Sequence, residues 1–101
     1  MTHAVTMDKE EARNILAEHL ARYRTRSYSE LVRMVSVKHV DTFEAIGASG
    51  TTYQLEFQFF WDGRPEGKIR VMGSIDDGGW RAFLPMTDDF ILGPEEESAG
   101  E

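Results

Sequence analysis

His39 and Asp41 stand two positions apart in a stretch whose side chains alternate in character. On a β-strand that spacing puts both on one face. A carboxylate beside an imidazole fixes the ring's orientation and lets it carry a proton, so the two are a candidate acid–base pair. If the strand begins outside the core, both are merely solvated. Two acidic doublets, Asp76 with Asp77 and Asp88 with Asp89, are the other titratable groupings. Calcium takes about six to eight oxygens from spaced loop positions, which adjacent aspartates do not supply. No metal or cofactor is expected. The chain has no cysteine, which removes thiolate metal sites and cysteine nucleophiles. No glycine-rich phosphate loop or zinc spacing stands out.

The elements that must position these residues are legible in order. Thr6 or Asp8 can cap a helix whose first turn carries Asp8, Glu10 and Glu11. Ala12, Ile15, Leu16, His19, Leu20 and Tyr23 follow the three-and-four rhythm of one helical face, which predicts a helix to about Arg24 or Arg26. His19 reads as a packing residue, and Arg22, Arg24 and Arg26 as charges complementing the helix dipole. Ser27 followed by Glu30 is a capping box, predicting a short helix over residues 28–35.

From Val37 the period changes to two. His39, Asp41, Phe43 and Ala45 share one face of a first strand, and residues 47–50 turn the chain. Tyr53, Leu55, Phe57, Phe59 and Trp61 form the apolar face of a second strand. A three-residue loop ending at Gly50 is preferred, with Phe43 set opposite Tyr53, over a register that sets Asp41 against Glu56. After a turn-rich loop, Ile69, Val71, Gly73 and Ile75 face inward on a third strand. Pairing Trp61 with Ile69 sets Phe57 over Gly73, an aromatic covering a strand glycine. Asp77 and Gly78 then signal a two-residue hairpin, with Ile75 opposite Trp80, Gly73 opposite Ala82 and Val71 opposite Leu84. Strand four is thus residues 80–84, ended by Pro85. Phe90, Ile91 and Leu92 are a final apolar clip. Residues 1–5 read as frayed.

With 101 residues, 41% hydrophobic and 29% charged, the chain predicts one globular α+β domain over residues 1–93. Two helices pack on a curved four-stranded antiparallel meander. Residues 94–101, acids and small residues after Pro94, predict a disordered tail. The net charge of −7 argues against nucleic acid and anionic membranes as partners. The opening residues lack the pattern of a signal peptide, no apolar run has the length of a membrane span, and the lack of cysteine fits a reducing cytoplasm.

The hairpin register leaves Met72 opposite Phe83 on the outer face of the sheet, with Phe60 beside them and Arg70 and Arg81 at the rim. Apolar residues rimmed by arginine there have the composition of an interaction surface, and a symmetric homodimer is the simplest use of it. The clip folding back over the patch is the competing arrangement.

The order of elements resembles the cystatin-like and NTF2-like folds, in which a curved sheet wraps a helix. The block from Gly73 to Pro85, with Asp88, Asp89, Phe90 and Ile91, is similar to one in a family of small uncharacterised bacterial proteins, which brings no activity with it. The sequence reading is therefore a small binding or self-association module that performs no chemistry. The alternative is an NTF2-like enzyme. That resemblance implies an acid–base pair in the mouth of the sheet, at His39 and Asp41.

Overall fold

A computed structural model describes residues 8–78 and 85–94. The chain runs α1 (Lys9–Arg24), α2 (Tyr28–Ser36), β1 (Val40–Ile46), β2 (Thr52–Asp62), β3 (Lys68–Asp76) and β4 (Met86–Leu92). The strands form one antiparallel sheet in the order β1-β2-β3-β4, with the helices packed on one face, as the α+β reading expected.

Both helix starts follow from local chemistry. The Asp8 side chain accepts the Glu11 N–H at 3.1 Å. At α2, Ser27 Oγ accepts the Glu30 N–H while the Glu30 carboxylate accepts the Ser27 N–H, each at 3.1 Å. Ala12, Leu16, Leu20 and Tyr23 bury one stripe of α1 against Tyr53, Leu55, Phe57 and Phe59 of β2 and Ile69, Val71 and Ile75 of β3. His19 is a packing residue, half-buried beside Phe43 and Phe57, and its ring N–H donates to the Ile15 carbonyl at 3.1 Å.

The β2–β3 register matches expectation, with Trp61 opposite Ile69 and Phe57 opposite Gly73. A Cβ on Gly73 would collide with the Phe57 ring and stand 2.9 Å from Leu16 Cδ1. The missing side chain is what lets α1 settle onto the sheet.

Two expected registers are corrected. Phe43 pairs with Leu55, and Tyr53 with Ala45. This is the pairing that a three-residue loop over 48–50 produces, with the Gly47 N–H on the Thr51 carbonyl at 2.9 Å, so the expected loop stands and the expected pair is corrected. Glu11 of α1 holds this loop. Its carboxylate accepts the Ser49 N–H at 2.9 Å, the Ser49 hydroxyl at 2.7 Å and the Tyr53 hydroxyl at 2.7 Å. A shift of two residues leaves each side chain on its expected face, so His39 and Asp41 remain on the apolar side.

The fourth strand is Met86–Leu92, so the segment expected to be a clip is the strand. Ile75 pairs with Met86, Gly73 with Asp88, Val71 with Phe90 and Ile69 with Leu92. The expected strand over residues 80–84 lies outside the described residues, as do residues 1–5 and most of the acidic tail. Gly78 does have positive φ, +77°, and its N–H meets Asp76 Oδ1 at 2.7 Å. Asp77 does not share that conformation and Ile75 pairs with Met86, so the expected two-residue hairpin is corrected. What selects β4 is distant in sequence. Phe90 is buried with the Arg24 guanidinium 4.5 Å above its ring, and Arg70 joins Asp89 of β4 to Asp62 of β2.

Gly73→Ala should lower unfolding stability by about 1–3 kcal/mol in urea, the usual cost of overpacking a filled core. A neutral result would mean that α1 does not rest on that glycine.

Candidate functional site

Three elements deliver one chain of hydrogen bonds. The last turn of α1 carries Tyr23 on the buried stripe. Its ring packs 5.0 Å from Phe57 and 5.4 Å from Phe59 between centroids. Its hydroxyl donates to Asp41 Oδ2 at 2.5 Å. Asp41 reaches that point because β1 places it opposite Phe57. The other carboxylate oxygen, Oδ1, lies 2.5 Å from Nε2 of His39.

The end of α2 sets His39. The Lys38 N–H bonds the Val35 carbonyl at 3.1 Å and the His39 N–H bonds the Met34 carbonyl at 2.9 Å. This pair of bonds is the Schellman ending, which needs one residue in the left-handed region. Lys38 occupies it, at φ +55°.

The protonation pattern follows from these contacts. Burial drives the Asp41 carboxyl upward, but hydrogen bonds from Tyr23 and His39, with the charges of His39 and Arg26, outweigh it and leave its pKa lowered. Burial, then Asp41 itself, pushes the Tyr23 phenol far above its ordinary value. Tyr23 is thus the donor and Asp41 an ionised acceptor at both oxygens. Nε2 of His39 must carry its proton toward Asp41. Nδ1 keeps a lone pair in the neutral ring, and it has no protein partner among the described residues.

His39 keeps 42% of its side-chain surface exposed against 22% for Asp41, and it opens on an indentation of about 640 Å³. The first β1–β2 pair is Val40 with Gln58, so β2 overhangs β1 through residues 59–62 and leaves a notch in the sheet. Val35 of α2 closes one side; Val40, Phe59, Phe60 and Trp61 supply apolar wall; Ser36, Lys38 and Gln58 add polar groups. Asp41 stands behind His39 and does not line the cleft.

The outer-face residues are partly gathered. Phe60 pairs with Arg70, and Gln58 with Met72, so Phe60, Arg70 and Met72 are neighbours. Met72 lies opposite Asp89, which corrects its expected pairing with Phe83; Phe83 and Arg81 are outside the described residues. Phe60 is also cleft wall, and Ile91 adds an exposed apolar side chain on the far side of Arg70. The aspartate doublets serve locally: Asp76 accepts from Gly78, Asp89 pairs with Arg70, and Asp88 accepts the Asp89 N–H at 2.8 Å. Among the described residues no three His, Asp or Glu side chains stand together as a metal site, and no helix is long and apolar enough to cross a membrane.

Tyr23 and Lys38 are the site residues that sequence reasoning missed. Tyr23 read only as helix stripe, and nothing local pairs it with a residue eighteen positions on. Lys38 carried one usable signal: the chain passes from α2 to β1 with no glycine to end the helix. No protein-family model, curated protein or solved structure matches the chain.

Tyr23→Phe should cost about 1–2 kcal/mol of stability at pH 7, since it removes a bond to a charged acceptor. The Asp41 pKa is depressed by folding, so this contribution is present above the unfolded value of about 4 and fades as pH falls through the folded value. Urea titrations of both proteins at pH 7 and pH 3 should show the gap closing; an equal gap at both pH values would detach Tyr23 from the carboxylate.

Proposed function

We propose that the protein is a small ligand-binding domain whose cleft ends on a general base, His39. One observation carries this reading. The Asp41 carboxylate holds the ring by Nε2 and is itself fixed by Tyr23, while the ring faces an open apolar cleft. A base needs a lone pair at the ligand, a partner to stabilise the imidazolium that forms, and walls that reduce water around the transfer. Nδ1, Asp41 and the Phe59, Phe60 and Trp61 side chains fill these roles. The NTF2-like order of elements supports the same reading, and the cysteine-free composition supports placing it in a reducing cytoplasm.

A base in an apolar cleft removes carbon-bound protons from activated probes that need no other catalyst. With 5-nitrobenzisoxazole, the ring C–H proton moves to Nδ1, the N–O bond breaks and a coloured cyanonitrophenolate is released. The parent should exceed buffer by about 10²-fold, with His39→Gln at background and Asp41→Asn between them. Equal rates for parent and His39→Gln would remove the base and leave a binding cleft without chemistry.

A specific observation also favours self-association. Val40, Phe43 and Ile46 are exposed along β1, an edge strand, and Ile46 keeps 73% of its surface. An antiparallel second copy centred on Phe43 would oppose Phe43 to Phe43, and Val40 to Ile46 on the outer face. This reading places the homodimer at the strand edge, with the outer-face patch of Phe60, Met72 and Arg70 as the other surface available to it. Sedimentation should show a dimer that Ile46→Lys splits into folded monomers; a parent that stays monomeric when concentrated ends this reading.

A further inference from the structure

We infer that the ligand of the cleft is a small aromatic or branched organic acid, its anionic group held by Lys38 and its apolar body lying against Val35 and Trp61. This rests on the reading of the cleft as a binding site and names the class of molecule it takes.

The first argument is charge. The chain carries 18 Asp and Glu against 11 Lys and Arg. No carboxylate lines the cleft, and its wall holds one lysine. Lys38 makes no ion pair among the described residues, whereas nearby Asp62 is paired with Arg70 at 2.8 Å. Asp41 behind His39 is ionised, and Arg26, 5.4 Å from the centre of the Tyr23 ring, acts on that carboxylate and offsets its charge. Among the described residues, an acid-free concavity whose wall carries a lysine without an ion pair is complementary to an anion.

The second argument is backbone conformation and is independent of the first. The left-handed position that ends a helix is normally glycine, sometimes asparagine, because a Cβ is crowded there. Here a lysine holds φ +55°. Glycine would satisfy the same two backbone bonds without the steric cost. Its place is taken by a long cationic side chain at the mouth of the cleft, on the residue immediately before His39. The apolar wall then selects for the body of the ligand, because Val35 and Trp61 offer a surface that an inorganic anion cannot use.

The test compares 2-naphthoate with the neutral 2-naphthamide, followed by amide and indole shifts of the labelled protein. The acid should bind about fivefold more tightly at low salt, the ratio expected for one partly exposed ion pair, and the preference should shrink at 0.5 M NaCl. Both ligands should move His39 and the Trp61 indole. Lys38→Arg should keep the preference. Lys38→Gly should abolish it while binding the amide as the parent does and melting no lower than the parent. Equal binding of acid and amide by the parent overturns the anion assignment and leaves the cleft standing. A preference that survives in Lys38→Gly also overturns it. Shifts confined to other surfaces overturn both the assignment and the cleft reading beneath it.

Discussion

The seating of α1 on Gly73 is the contact from which the rest of the molecule is measured. With no side chain on the central strand at that point, the Phe57 ring and Leu16 meet over bare backbone. That contact sets the height and rotation of a rigid helix, and each end of the helix then reaches a fixed target. Glu11, just over one turn before Leu16, arrives at the β1–β2 loop. Tyr23, two turns after it, arrives at Asp41. Arg24 falls over Phe90 and secures the last strand. A helix held higher by a methyl group would loosen all three contacts together.

The two ends of α1 use the same chemical pair in opposite senses. At the N-terminal end the helix gives the carboxylate, Glu11, and the sheet gives the phenol, Tyr53. At the C-terminal end the helix gives the phenol and the sheet the carboxylate. Burial and Glu11 push the Tyr53 hydroxyl up to about 12, and the Ser49 and Tyr53 bonds hold the Glu11 carboxyl low, so both partners keep their ordinary charge at neutral pH. Ser49 completes the first pair, and the result is a clasp. The second pair is completed by a histidine that faces a cleft. One interaction holds a loop at one end and orients an exposed imidazole at the other, and the difference lies in the third residue.

What the sequence disclosed tracks how local each cause is. Helix starts depend on residues within one turn, and the Ser27 and Glu30 box was legible as such. Faces depend on alternation, so His39 and Asp41 were placed on the correct side even with the β1–β2 register displaced by two. The three-residue loop over 48–50 was legible too, and only the pair named with it was displaced; the Glu11 carboxylate that holds this loop, thirty-eight residues from Ser49, was not legible. The fourth strand was misplaced because Asp77 and Gly78 form a strong local signal. The choice of Met86–Leu92 depends instead on Arg24, Arg70 and the burial of Phe90. Tyr23 and Lys38 escaped for the same reason: their significance lies in which element they meet.

The short helix α2 has a further consequence. Leu31 is the one residue of its nine that is fully buried, and the Tyr28 hydroxyl ties its first turn to the Gly67 carbonyl at 2.6 Å. Tyr28, Val32, Met34 and Val35 add only partly buried contacts, so α2 is expected to open by local unfolding before the α1-and-sheet core. Because α2 forms one wall of the cleft and its end orients His39, each local opening also dismantles the site. The notch beside His39 therefore exists only while α2 is folded, and the position of the ring is tied to the local stability of residues 28–36.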